Sequence, residues 1–542
     1  MRIVLIFISL LTMSTSCLQT TPVDLLVRNA KIHSMDEENT TYQAMAIKDG
    51  KVVEMGAEYE ILNKYTAEET FDARTKTIYP GFIDAHCHFY GYGTNLTRAN
   101  LLGTTSYEEV LERIANYPKE FPNQPWVLGR GWDQNDWEVK EFPDRAPLDE
   151  LFPNIPVMLH RIDGHAILVN GKALEMAGVT PETEVSGGEI VVKDGRVTGV
   201  LIDGAMDLVR SIVPAPTKEQ MTQALLHAQE KCLAVGLTTV SDAGLNKAEV
   251  ELIEELHESG KLQMRVYAML SDTEENLDHY VDRGPYQTDR LTVKAFKFYA
   301  DGALGSRGAC MCFPYSDAPD HHGFILRDRQ YYSQMADLMK LSGFQMNTHC
   351  IGDSANRMML DIYGAVLKNE TDRRWRIEHA QVVTPEDIPR FGEYRVIPSV
   401  QPTHATSDMY WAEERLGPDR IKTAYAYQEL LAQNKFLPLG TDFPVEDINP
   451  MLTFYAAVAR QDLKGFPEGG FQSENALTRE QALRGMTIWA ALANFEEQQK
   501  GSLEVGKVAD FVVLNVDLLK APLKAIPEAK VAATFINGQQ VY

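Results

Sequence analysis

Two textures of hydrophobic and polar positions divide the chain. From about residue 23 to 76 the segments "VDLLVRNAKIHSM" and "AMAIKDGKVVEMG" place apolar residues at alternate positions, and "KVADFVVLNVD" and "VAATFINGQQVY" repeat this near the end. A period of two is that of a half-buried strand. Asp49-Gly50 and Asn537-Gly538 sit inside such segments. These pairs suit a two-residue hairpin turn, whose central positions both need a positive φ. The two ends therefore predict one small β-sandwich, made of residues 17–76 and 501–542.

Between them, short apolar runs alternate with amphipathic helical stretches, the pattern of parallel βα units. The runs are "TIYPGFIDAH", "GLTTVSDAG", "MRVYAML", "LTVKAFKFYADG", "FQMNTH", "RWRIEH", "RVIPSVQP" and "FLPLGTD". Eight units close a barrel. The predicted fold class is thus α/β, a (β/α)8 TIM-type barrel over residues 77–500. Residues 100–215 have no place in that count. Rich in Trp, Pro and Gly in "QPWVLGRGWDQNDW", and with a hairpin pattern in "GEIVVKDGRVTGVLID", they predict a large insertion after barrel strand 1. An insertion there leaves from the rim where barrel enzymes bind substrate.

Composition, at 44% hydrophobic and 24% charged residues, is that of a globular protein able to bury a large core. A formal net charge of −24 without long runs of Lys or Arg argues against nucleic acid as a partner. Residues 1–16 differ from the rest. Arg2 precedes an apolar run from Ile3 to Leu11, then Ser14, Thr15 and Ser16 lead to Cys17. That order is expected of a signal peptide, and the run is too short to span a bilayer. Lipid on Cys17 would give an exported bacterial membrane lipoprotein facing the periplasm or cell surface, with ordinary cleavage as the alternative. The five other cysteines, Cys87, Cys232, Cys310, Cys312 and Cys350, are odd in number, cannot all pair, and are expected to be buried free thiols. Oligomeric state has no signature in the sequence.

The chemistry begins in "GFIDAHCHF", where His86 and His88 are one residue apart and so share one face of a strand. By itself such a pair carries little. Lys297 in "FKFYADGALG", His349 in "MNTHCIGD", His379 in "RIEHAQ" and Asp442 in "LGTDFP" then fall at the ends of four other predicted strands, which converge on one rim. Four imidazoles and a carboxylate suit a divalent transition metal, zinc by default.

The pieces "GFIDAHCHF", "DGHAILVNGKAL", "KFYADGALGSRGA", "THCIGDSAN", "EHAQ", "SVQPTH" and "GTDFPVED" together resemble the amidohydrolase superfamily. Within it the chain is similar to the amidohydrolase family 3 group that contains the N-substituted formamide deformylases. The resemblance implies a site of two metal ions. His86 and His88 would hold the more buried ion and His349 and His379 the more exposed one. Lys297, carboxylated by CO2, would bridge them, because an ammonium has no lone pair to offer a metal. A one-ion site with unmodified Lys297 is the alternative. Lys294 is the rival lysine, with opposite strand parity.

The implied reaction is hydrolysis of a non-peptide C–N bond in a small-molecule amide or N-substituted formamide. Asp442 would move protons between water and the leaving nitrogen, and His404 in "QPTH" would donate to the developing oxyanion. Trp132 and Asp133 in "GRGWDQNDW" and His165 in "DGHAILVN" are expected to line the substrate mouth, unless Trp132 packs the insertion instead. Asp301 and Arg307 are expected to pair and order the loop after strand 4. Hydrolytic deamination, cyclic-amide hydrolysis and a non-catalytic surface lipoprotein are the competing readings.

Overall fold

The computed structural model describes residues 20–120, 125–368, 370 and 372–542, so the expected signal peptide and Cys17 lie outside the described residues. Seven parallel strands form the body of the barrel: β1 (Phe82–Cys87), β2 (Leu237–Leu245), β3 (Arg265–Ser271), β4 (Leu291–Tyr299), β5 (Gln345–Cys350), β6 (Arg376–His379) and β7 (Ile397–Ser399). The eighth run is an extended arm at residues 437–442. It bridges β7 in parallel through Val400 and Leu439, and its Leu439 carbonyl accepts the Ala85 N–H of β1 at 3.1 Å. The barrel is thereby nearly closed.

β1, β5 and β6 are buried at every position, as expected of strands covered on both faces. Helices cover the outside and are built from standard signals. Lys218–Ala234 starts at a Thr217/Gln220 capping box, Lys247–Glu258 turns Val250, Ile253 and Leu256 inward, and Arg329–Ser342 stops at Gly343 with φ +83°.

The run "TIYPGFIDAH" is divided in two. Thr77–Pro80 joins a sheet at the chain ends, and only Phe82–Cys87 enters the barrel. Gly81 makes the switch, where an added Cβ would stand 2.3 Å from Thr238 Oγ1.

The chain ends form two sheets. One has four strands, with Thr21–Arg28 between Ala44–Lys48 and Tyr65–Asp72. In the other, of six strands, Thr77–Pro80 lies between Lys31–His33 and the C-terminal Phe511–Leu514. Val27, Met45 and Ile47 of the first share a core with Ile78, Phe511 and Phe535 of the second. Both hairpin pairs adopt left-handed backbone, Asp49 and Gly50 at φ 51° and 72°, Asn537 and Gly538 at 51° and 72°. Residues 99–203 carry another six-stranded sheet, closed by the antiparallel hairpin Gly188–Lys193 and Arg196–Asp203.

Candidate metal centre

The ends of β1, β4, β5 and β6 and the eighth arm bring His86, His88, Lys297, His349, His379 and Asp442 into one cavity wall, and His404 joins them from the helix Pro402–Asp408 after β7. His88, Lys297, His349, His379, His404 and Asp442 line a cavity of about 880 Å³, and His86 lies buried directly behind them.

Each imidazole of the inner set is fixed through one nitrogen. Nδ1 of His86 lies 2.6 Å from Glu378 Oε2, Nδ1 of His88 2.9 Å from the Ala243 carbonyl, and Nδ1 of His379 2.7 Å from Gln401 Oε1. With Nδ1 as the donor in each, the Nε2 lone pairs are directed inward. His86 Nε2 and His88 Nε2 stand 3.5 and 3.2 Å from Asp442 Oδ1, and His404 Nε2 stands 3.6 Å from Oδ2. Two donor groups result, His86, His88 and Asp442, and His379, His404 and Asp442.

Electrostatics favours neutral imidazoles around an ionised carboxylate. Burial lowers the pKa of His86, His349, His379 and His404. For Asp442, burial alone would favour the neutral acid. The surrounding rings of His88, His86 and His379 overcome it and hold this carboxyl well below the usual range. Burial pushes Lys297 down to about 8, and its Nζ stands 3.2 Å from His86 Nε2. Asp442 Oδ1 and His404 Nε2 are buried without a hydrogen-bond partner. Unpaired buried atoms of this kind are costly, and a divalent cation fits the donors they present.

Backbone geometry contributes. His379 and Asp442 have φ of 74° and 63°, a region that residues other than glycine seldom occupy and that clusters at functional sites. At His379 it breaks the strand's alternation, so that Glu378 and His379 both reach His86. Gly440 permits the close seam with β1, since an added Cβ would lie 2.6 Å from the His86 backbone nitrogen.

Across residues 69–542 the chain matches the amidohydrolase family model. It belongs to the amidohydrolase family. The Protein LONG AFTER FAR-RED 3 of Arabidopsis thaliana is 33% identical over 538 residues, covering 96% of this chain and 91% of that protein. The N-substituted formamide deformylase of Arthrobacter pascens is 26% identical, covering 95% of this chain and 97% of that enzyme. The crystal structure of an uncharacterized metal-dependent hydrolase from Pyrococcus horikoshii OT3 superposes with a TM-score of 0.76 at 28% identity, over 92% of this chain and 99% of that one.

In this amidohydrolase-family chain several expected residues take other places. His349 stands outside both donor groups. Its Nε2 lies 3.3 Å from the Gly302 carbonyl, while its ring packs 4.5 Å from that of His379. His404 occupies the second group in its stead. Trp132 does not line the cavity; it is fully buried among Leu159, Trp137 and Leu168, with Nε1 donating to the Leu159 carbonyl at 2.8 Å. A large indole is better satisfied there than at a wet rim.

Asp133 and His165 do line the cavity, Asp133 paired with Arg161, and His165 with Nδ1 2.7 Å from Asp203 and its ring 4.9 Å from that of His349. The Asp301–Arg307 pair does not form. Asp301 instead accepts the Cys310, Ile351 and Gly352 N–H groups, which tie the β4 and β5 loops together, and Arg307 pairs with Asp317 at 2.9 Å. Lys294 sits over the Phe495 ring, away from the histidines. The cysteines are free, but Cys310 and Cys312 are only half-buried. Glu378 and Gln401 were missed by sequence reasoning. A glutamate inside the apolar "RWRIEH" run was the available signal, since a buried charge requires a partner.

Proposed function

We propose that the protein is a metal-dependent hydrolase of a non-peptide C–N bond, an amide or N-substituted formamide of a small molecule. The observation that carries this is the convergence of three imidazole Nε2 atoms, of His86, His88 and His404, on Asp442, with His379 in the same donor set and with Asp442 Oδ1 and His404 Nε2 left unpaired in the interior. His86, His88 and Asp442 would hold one ion, and His379 and His404, with Asp442 and the adjacent His349, a second. Zinc is the natural choice for this nitrogen-rich set. When bound, such an ion polarises a carbonyl and lowers the pKa of water toward about 7.

The chain's own residues do the remainder. Glu378, Gln401 and the Ala243 carbonyl orient the histidines. Asp442, held as the carboxylate, accepts the proton of the attacking water and returns it to the leaving nitrogen, which departs poorly as an anion. His404 reaches the same space and, where it is not engaged with an ion, donates to the developing oxyanion. Lys297, whose lowered pKa leaves part of it as the free amine, can add CO2 and present two anionic oxygens to the centre. Asp133 and His165 would contact the substrate from the inserted sheet.

The deformylase relative supports the bond type. The test is a panel of N-formyl amines, N-acyl amines and cyclic amides assayed with zinc-loaded protein. Release of an amine and a carboxylate is the expected result. Release of ammonia would make it a deaminase, and full metal loading without turnover of any member would sink the hydrolase reading. Export and lipid on Cys17 are part of the proposal; labelled palmitate should enter the wild type and not Cys17→Ser.

A further inference from the structure

The same cavity is also lined by a group of basic side chains from residues 98–210. Arg130 and His160 are register partners on the adjacent parallel strands Val127–Trp132 and Val157–Arg161, so their side chains leave the same face. Arg98 follows the helix that His88 opens, and Arg210 ends the helix Asp207–Arg210. All four line the cavity.

Their partners are few. Among the described residues Arg98 reaches only the Asn95 amide oxygen, at 3.2 Å, and Arg130 donates one bond to the Ile162 carbonyl, at 2.7 Å. Arg130 Nε and His160 Nδ1 are buried with no partner. Among the described residues no carboxylate lies within 4.0 Å of Arg98 or Arg130, and Arg210 has only the 79% exposed Asp207, at 4.0 Å. The neighbouring Arg161 shows the contrast, being paired with both Asp133 and Asp163. Carboxylates do line the same cavity, Asp163 and Asp203 among them, but Asp163 is paired with Arg161 and Asp203 with His165, so neither is bonded to Arg98 or Arg130. Arg98 and Arg130 are half-buried and Arg210 is exposed at the mouth, so their guanidiniums are open to an incoming anion, and their planar forks suit carboxylate and phosphate oxygens.

We propose that Arg98, Arg130 and Arg210, with His160, bind an anionic carboxylate or phosphate group of the substrate, remote from the bond that is cut. Burial and mutual repulsion act in the same direction. They lower Arg98, and they push Arg130 down to about 10, a strain that an incoming anion relieves. The wall adjoins the centre: an added Cβ on Gly164, next to His165, would stand 3.4 Å from Arg130 Nη1.

The inference names the substrate class of the proposed hydrolase and rests on that reading for the reaction. Two measurements keep the two apart. In the first, kcat/KM is compared for N-formyl-4-aminobutanoate and its neutral counterpart N-formylbutylamine. The wild type should favour the anion by about tenfold or more, the scale of a charge-assisted contact, and Arg130→Met should bring the ratio toward one. Arg210→Gln, at a side chain 41% exposed, should reduce it without threatening the fold, and Arg130→Lys should restore part of it.

In the second, calorimetry follows glutarate, inorganic phosphate and neutral glutaramide binding to the same proteins. Binding of glutarate or of phosphate, but not glutaramide, to the wild type, weakened in Arg130→Met and Arg210→Gln, supports the wall and tells the two anions apart, even if no amide is turned over. Turnover of both amides at equal kcat/KM with no anion binding, or a preference that survives both arginine variants, would overturn it.

Discussion

The two walls of the cavity are built by opposite rules. On the barrel side three ligating imidazoles are each held through Nδ1: Glu378 holds His86, Gln401 holds His379, and a main-chain carbonyl holds His88. On the insertion side Arg98 and Arg130 have no carboxylate within 4.0 Å among the described residues, and His160 Nδ1 has no partner there. A fixed array fits chemistry that must not vary, since misplaced groups lose rate steeply. An unsatisfied array fits recognition, because the substrate completes it. The difference predicts that mutations on the barrel side will change metal and turnover, and that mutations in the insertion will change stability or substrate choice.

The largest expected effect tests the insertion side. Trp132→Ala removes a fully buried indole and its bond to the Leu159 carbonyl. It should cost about 3–5 kcal/mol, the usual cost of emptying a large aromatic site. Chemical denaturation and metal analysis of the folded variant check this. Lost metal at unchanged stability would erase the division between the walls.

Next come the two charged groups of the centre. Asp442→Asn keeps size and one oxygen but not the basic site, so turnover should fall by a factor on the order of a hundred or more while most metal remains. Lys297→Ala should instead lower metal content from about two ions toward one, with partial rescue by small carboxylic acids. Metal analysis and steady-state rates on both proteins separate the cases. Full occupancy and normal turnover in Lys297→Ala would remove the carbamate.

A smaller effect is expected one contact further out. Glu378→Gln retains shape but not the charge that favours His86 as a ligand, and should weaken metal binding by about 10–100-fold. Competition with a chelator measures it. Unchanged affinity would mean that Glu378 only fills space beside Arg376.

The same division governs what the sequence made legible. The barrel side was readable because its candidate ligands follow strand ends, and eight apolar runs, one ending in a histidine pair and four in a single chemistry-bearing residue, converge on a common rim. Asp49-Gly50 and Asn537-Gly538 were readable because their backbone angles demand those residues. Glu378 was not, since period-two reasoning puts neighbouring residues on opposite faces, and only the positive φ of His379 lets both reach His86. The burial of Trp132 depends on parallel pairing between Val127–Trp132 and Val157–Arg161, a long-range contact without a local signature. Arg98, Arg130 and Arg210 are scattered over more than a hundred residues and acquire meaning only when the inserted sheet brings them to one cavity.

The smallest predicted effect lies where the walls meet. Gly164 has φ +76° in the turn between Arg161 and Ala166, beside Arg130 and directly before His165. At Gly440 a side chain would strike the His86 backbone, whereas at Gly164 the nearest atoms are the tip of the Arg130 guanidinium at 3.4 Å. Space is therefore available, and the cost of Gly164→Ala is that of the left-handed backbone, about 1–2 kcal/mol for a residue with a Cβ. The variant should unfold at slightly lower denaturant and retain its metal, because no ligand or ligand-orienting contact passes through residue 164. If the arginine wall recognises an anion, a small shift of Arg130 should raise KM for anionic substrates with little change in kcat. A fall in kcat with KM unchanged would place this turn, and His165 with it, on the catalytic side of the cavity.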